Sequence, residues 1–244
     1  MPYQSRLLTS LAVLTLFTTA CASAPANDPL EPYNRAMHNF NMKFNIYIMN
    51  PVTKGYRAIT NQYARDRISN AMFNIKEPVS AVNHLLQGKP VRSGKDIARF
   101  AINSTLGLAG TYDVAGQGWN LPKDKTGFDA TMGAWGVPDG PYFVIPFVGP
   151  GTPRAAAGLV VDSFTNPLYL ATIHDANVHD KIYYPYVAVN GISLYDANKA
   201  LLDDLQRNSV DFYSTLKSAY EQNRNGKNTD DNMSYDFEMD DEED

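Results

Sequence analysis

Apolar residues recur at spacings of three and four through the first part of the chain. Met37, Phe40, Phe44, Tyr47 and Ile48 do so between Asn34 and Met49, which predicts a helix. It should start near Pro32, whose fixed φ suits a first turn, with Glu31 at the positive helix end and Pro51 as its stop. Met42 and Ile46 fall where polar residues belong, so the apolar arc is unusually wide. Further helices are predicted over Val52–Thr60, Asp66–Ile75, Pro78–Gln87 and Ser93–Leu106. In the last, Ile97, Phe100, Ala101 and Ser104 are expected to face inward. Residues 106–153 change character: they hold ten of the 16 glycines and six of the 15 prolines, which disfavours long regular elements. Within them Trp135–Phe147 alternates turn residues with an apolar run and reads as a loop with a short buried strand or extended piece. A helix is predicted to resume over Arg154–Ile173, interrupted at Asn166-Pro167. Its apolar residues keep to no single face, so it is either buried or turned to lipid. Two amphipathic helices close the pattern: Ile192–Leu205, striped by Leu194, Ala197, Leu201, Leu202 and Leu205, and Ser209–Asn223, with Ser209 as cap and Gly226 beyond its end. Strand signals are few and no internal repeat is present, so the class is mainly α.

The N-terminus has a different logic. Arg6, the apolar run Leu7–Phe17 and the small residues after it follow the order of an export signal. The single cysteine of the chain, Cys21, ends this stretch in Thr18-Thr19-Ala20-Cys21, where it has no disulfide partner. A lone thiol there fits the sulfur that bacterial lipoprotein processing acylates, with residues 1–20 removed, although Thr18 stands where Leu is usual. Ordinary secretion with cleavage after Ala22-Ser23-Ala24 is the competing reading. Residues 21–30 then form the lipidated cysteine and a flexible tether, residues 31–224 a helical domain, and residues 225–244 a disordered acidic tail.

Charge sharpens this division. The net charge is −5, but from Arg224 onward the chain carries about −7, and the body without its signal is close to neutral, about +1. No basic stripe exists, which argues against nucleic-acid binding. At 19% charged and 44% hydrophobic residues the body is less charged than most and can bury a sizeable core. No apolar run reaches the 18 or so residues that a spanning helix needs.

Catalytic chemistry finds little footing. No G-x-S-x-G elbow is present, and a processed Cys21 would be a lipid carrier rather than a nucleophile. His174-Asp175 and His179-Asp180 resemble a metal site or an acid–base dyad, but a spacing of five turns the two rings away from each other on a helix, and a polar turn is the plainer reading. Gly116-x-Gly118 and Gly149-x-Gly151 lack the strand-before, helix-after context of a phosphate cradle. Asp203-Asp204 and Asp240-Asp241 diverge on a helix rather than share a site. The reading is of a non-enzyme without metal or cofactor, apart from the acyl lipid on Cys21.

Two stretches resemble the VacJ/MlaA family of outer-membrane lipoproteins. The first is Asp28-Pro29-Leu30-Glu31-Pro32-Tyr33-Asn34-Arg35 with Asn39-Phe40-Asn41; the second runs from Gly133-Ala134-Trp135-Gly136-Val137-Pro138 through Gly140-Pro141-Tyr142 to Pro146, Gly149 and Arg154. Weaker likeness continues at Glu77-Pro78, Asn103–Gly107, Asp113-Val114-Ala115, Asn166-Pro167-Leu168 and Leu201-Leu202-Asp203, in the expected order. The resemblance implies a single helical, ring-like (donut) domain lying in the inner leaflet of the outer membrane and associated with trimeric porins. An amphipathic channel through it would take phospholipids mislocalised in the outer leaflet. It would pass them to a periplasmic lipid-binding shuttle (MlaC-like), preserving lipid asymmetry. Ala22 after the cysteine is not the Asp that retains lipoproteins at the inner membrane, so the outer membrane is the expected address. Within this picture Asp162, Ser163 and Thr165, the polar minority of their helix, are candidate channel-lining residues, and Phe40, Asn41 and Met42 a candidate gate, with a packing role for Phe40 as the plain alternative. A tethered periplasmic structural or assembly lipoprotein folded in water is the alternative, and an enzyme acting on lipid or envelope polymer a third.

Overall fold

The computed structural model describes residues 28–224; the signal, Cys21 and the acidic tail lie outside the described residues. The described chain divides into two compact units. One comprises residues 28–41, 140–152 and 210–224; the other comprises Met42–Asp139 and Pro153–Ser209.

In the first unit, most of helix α1 (Glu31–Phe44) and helix α10 (212–224) accompany a hairpin of β1 (Phe143–Ile145) and β2 (Gly149–Gly151). The strands pair antiparallel with Phe143 opposite Gly151 and Ile145 opposite Gly149, so the short buried strand expected in this region is present, with Val144 at its centre. Tyr142, Val144 and Tyr213 form the core, with Met37 and Tyr220 against it. Asp211, not Ser209, caps α10: its carboxylate accepts from the Tyr213 amide at 3.1 Å, whereas the Ser209 hydroxyl turns back to the Gln206 carbonyl. Asp28, the first described residue of the stretch read as tether, is buried. It accepts hydrogen bonds from Asn34 and Tyr213 and pairs with Lys217 at 3.3 Å.

The second unit is helical apart from its connections. Pro51 does not stop the first helical run. A π-helical turn over Asn45–Met49 lets the Asn50 amide reach back to the Asn45 carbonyl, and Pro51 then falls in the first turn of α2 (Asn50–Ile59), where its missing N–H costs little. The two helices expected over Asp66–Ile75 and Pro78–Gln87 are one, α3 (Gln62–Leu86), with Pro78 in its interior. A Schellman turn ends it: Lys89 donates to the His84 carbonyl and Gly88 to Leu85, with Gly88 at φ +76°, which glycine adopts without strain. Pro90 opens α4 (Pro90–Thr105), and α3 and α4 pack closely as a helical hairpin. Short helices α5 (Val114–Gly118) and α6 (Phe128–Ala134) punctuate the Gly/Pro-rich section. The next helix does break at Asn166-Pro167, into α7 (Pro153–Phe164) and α8 (Pro167–Thr172). Gly158 of α7 abuts α6 so closely that a Cβ would lie 2.6 Å from the Asp129 nitrogen. The last helix of this unit, α9 (Ala176–Asn208), is far longer than the expected Ile192–Leu205 and carries Pro185 inside it; Asp175 caps its start through the Asn177 and Val178 amides. None of the described helices is long and apolar enough to cross a membrane.

Candidate functional site

Helix α4 shows how the sequence is used. Its polar residues Ser93, Asp96, Arg99 and Asn103 recur every three or four positions, which places them on one face, and that face is the buried one. Three of the four residues expected inside are outside: Ile97 is 59% and Phe100 38% exposed, and Ala101 is exposed too, while Ser104 is half-buried and accepts from Asn74 at 2.9 Å. Helix α3 answers with Asn74, Glu77, Ser80, Asn83 and His84 buried, while Val82, Leu85 and Leu86 face out. On helix α9, Leu194 and Leu201 are exposed as well, and the partly buried Asp196 is held between Arg57 and Arg65. Among the described residues, buried polar and charged side chains outnumber buried hydrophobic ones. The amphipathic period is present, but its faces are inverted.

The buried polar groups are organised. Arg99, 0% exposed, donates to Glu77 Oε1 at 2.7 Å, to Asp113 Oδ1 at 3.0 Å and to the Leu121 carbonyl. Asn103 donates to Asp113 at 3.1 Å and accepts from the Ala115 amide at 2.9 Å, fixing the start of α5. Burial pushes the Asp113 carboxyl up. The Asn103 amide, the Arg99 and Lys123 charges and the Gly116 amide outweigh it and hold that carboxyl below the usual range. Burial wins at Glu77, whose carboxyl is pushed up to about 7 despite Arg99; its Oε2 is buried without a partner. A second buried pair joins His84 Nδ1 to Asp96 Oδ2 at 2.6 Å, with Asp124 3.5 Å from the other ring nitrogen. Thr131 on α6 donates to Asn83 Oδ1 at 2.6 Å and accepts from Gln87, tying α6 to the α3 end of the hairpin.

The residues singled out from the sequence occupy definite places. Asn41 clamps the hairpin: its amide donates to the Ile145 carbonyl at 3.0 Å and accepts from the Phe147 amide at 2.7 Å. Two helical turns earlier Asn34 does the same to the Tyr142 carbonyl and the Val144 amide, at 3.0 and 2.9 Å. These two side chains stand in for a neighbouring strand. Phe40 meets Phe147 edge to face at 5.0 Å; Met42 is half-buried and is the first residue of the other unit. Asp162 serves as a remote cap. Gly127 precedes α6 without a capping side chain, and Asp162 Oδ1 accepts from the Phe128 amide at 3.0 Å; burial raises its carboxyl. Ser163 and Thr165 are exposed, and each returns its hydroxyl to the carbonyl four residues back. Arg154 is fastened to Asp129, Asp139 and the Val137 carbonyl. His174 lies in the turn before α9. His179 shares a hydrogen bond with Thr172 at 2.9 Å and packs among Tyr169, Tyr183 and Tyr184. Sequence reasoning missed Glu77, Arg99, His84 and Asp96; the signal was the polar stripe Ser93–Asp96–Arg99–Asn103, read as the outer face.

Fold and surface together define a mainly helical protein whose helices turn polar side chains inward and apolar ones outward. Residues 26–227 match the model of the MlaA lipoprotein family, and the chain belongs to that family. An intermembrane phospholipid transport system lipoprotein of Escherichia coli K12 is 39% identical over 168 residues, covering 64% of this chain and 66% of the relative. Its Haemophilus influenzae counterpart is 34% identical over 209 residues, covering 81% and 77%. A solved structure from work on the structural basis for maintenance of bacterial outer membrane lipid asymmetry superposes with a TM-score of 0.67 at 34% identity, covering 80% of this chain and 96% of that one.

Proposed function

We propose that this protein is an outer-membrane lipoprotein, anchored through acylated Cys21, that takes part in phospholipid transport between the two envelope membranes. It removes phospholipids mislocalised in the outer leaflet and hands them, chemically intact, to a periplasmic lipid-binding shuttle. The body lies in the inner leaflet as a ring beside trimeric porins, and no cofactor takes part. Kinship with transport lipoproteins supports the process. The inverted helix faces support the location and carry the reading.

A half-exposed Val, Leu, Ile or Phe forgoes about 1 kcal/mol of burial in water. Val82, Leu85, Leu86, Val91, Ile97 and Phe100 on α3 and α4 are all exposed, so this hairpin alone forgoes about 6 kcal/mol, against a typical domain stability of about 5–15 kcal/mol. Surrounding acyl chains remove that deficit, and apolar surface on this scale marks a membrane or protein contact. Two acyl anchors already suffice for attachment, so the apolar body must serve another end.

The test is surface-exposed phospholipid on intact cells lacking the protein, complemented with the wild type or with variants. Wild type should restore asymmetry. Asp162→Ala and deletion of Asn41-Met42 probe the channel lining and gate; unchanged asymmetry in both, at normal protein levels, removes those residues from the mechanism. A tethered lipoprotein folded in water is separated by solubility: Cys21→Ser protein without its signal should still need detergent, and free solubility would favour that alternative. An enzyme would leave altered lipid, where transport returns it intact.

A further inference from the structure

Beyond Thr105 the chain makes a turn that costs energy. Leu108, Ala109 and Gly110 are all left-handed, at φ +51°, +57° and +83°. Leucine and alanine each give up about 1 kcal/mol there. The turn is held firmly: Gly110 donates to the Asn103 carbonyl at 2.7 Å and Tyr112 to Gly107 at 2.9 Å. Its effect is to hold Leu106 and Leu108 outward, 62% and 67% exposed. They border an open groove of about 500 Å³ lined by Leu106, Leu108, Tyr112, Val114, Gln117 and Gly118, within the roughly 300–1,000 Å³ of small-ligand sites. At its rim the Tyr112 and Tyr63 hydroxyls share a hydrogen bond of 2.6 Å. The Arg67 guanidinium lies over both rings, 4.3 Å from Tyr112 and 4.8 Å from Tyr63. Arg67 donates to the Thr111 carbonyl at 3.3 Å, its Nε is buried without an acceptor, and among the described residues no carboxylate pairs with it.

An uncompensated guanidinium beside an apolar groove is complementary to one kind of molecule, an anionic head on a hydrocarbon chain. We propose that the groove is a phospholipid subsite, with an acyl chain along Leu106, Leu108 and Val114 and the phosphate met by Arg67. The guanidinium fork suits phosphate oxygens, and Arg with Tyr is the side-chain pairing of a lipid–water boundary. The nature of the ligand rests on the phospholipid-transport reading; the groove and its charge do not.

Trp119, next to Gly118 and half exposed, is a built-in reporter, and Trp135→Phe leaves it as the single tryptophan of the full chain. The full-length lipidated protein in detergent is titrated with phosphatidylglycerol brominated on its acyl chains. Saturable quenching of Trp119 is expected. Arg67→Gln should raise the half-saturating lipid concentration about tenfold, while quenching by brominated diacylglycerol, which lacks phosphate, stays unchanged. Gly118→Leu fills the groove at a position where a Cβ meets nothing within 4 Å, so it should fold normally and abolish quenching by both lipids. Inorganic phosphate should not compete; competition would make the site an anion site rather than a lipid site. Non-saturating quenching, or quenching indifferent to Arg67→Gln and Gly118→Leu, overturns the subsite. If it is overturned while cells without the protein still lose asymmetry, the transport reading stands. If those cells keep asymmetry, that reading fails whatever the groove binds.

Discussion

Replacing Arg99 with methionine is the sharpest perturbation of the inverted interior. The guanidinium is fully buried and makes three hydrogen bonds, two of them to carboxylates. Removing one partner of a buried ion pair costs about 3–5 kcal/mol, because the partner's charge stays behind. Glu77 can shed its charge, since burial already raises its carboxyl to about 7. Asp113 keeps Asn103, the Gly116 amide and Lys123 as partners. The loss should therefore fall at the low end, about 3 kcal/mol. Arg99→Lys keeps the charge without the fork and should lose roughly half as much. Urea unfolding followed by far-ultraviolet circular dichroism in a mild detergent reads this as a lower midpoint at unchanged slope. Adding Glu77→Gln to Arg99→Met should recover part of the loss, as expected for two coupled sites. An Arg99→Met protein within about 0.5 kcal/mol of wild type, the usual scatter for surface substitutions, would refute the assignment of Arg99 to the interior.

Two further outcomes follow from the same polar contacts. Asn34→Ala and Asn41→Ala each remove a donor and an acceptor from the hairpin backbone. The loss should be about 1–3 kcal/mol where a buried amide is orphaned, greater for Asn34, which is 0% exposed against 9% for Asn41; faster hydrogen exchange at Val144 and Phe147 checks it, and protection equal to wild type would count against the clamp. Glu77 also sets a pH dependence. Its folded carboxyl titrates near 7, above the ordinary carboxylate value, so its contribution is complete below the unfolded value and is lost as pH rises through about 7; Glu77→Gln should flatten the decline in urea midpoint over that window, and an unaltered profile would show that Glu77 is not the group responsible.

Much of the fold was legible in the sequence, because local rules survive any environment. The helical period of α1, the break at Asn166-Pro167 and the short strand around Val144 follow from spacing and turn residues. Proline misled twice, at Pro51 and Pro78. Pro51 follows a π-turn that shifts the hydrogen-bond ladder, so it sits at a helix start. Pro78 lies inside a long helix, where the packed polar face of Glu77 and Ser80 opposes a local cost of about 3 kcal/mol. The larger error was one of sign. Periodicity fixes which residues share a face, but says nothing about which side meets water. Ile97 and Phe100 were placed inside on the premise that water surrounds the helix, and Arg99, next to them in sequence, proved to be the centre of the interior. The family resemblance was right that the fold is mainly helical while leaving that sign unread. The clamps at Asn34 and Asn41 were illegible for another reason: their partners, Val144 and Phe147, lie more than a hundred residues away.

If the outward apolar faces meet acyl chains, reagents held in the bilayer reach them. A carbene-generating probe carried on phospholipid acyl chains, with labelled residues mapped by mass spectrometry in native outer membranes, reads that contact. Leu85, Val91, Ile97 and Leu159 should be labelled, with Asp96 and Arg99 of the same hairpin unlabelled. Labelling of those four residues no greater than that from a water-soluble carbene would contradict it.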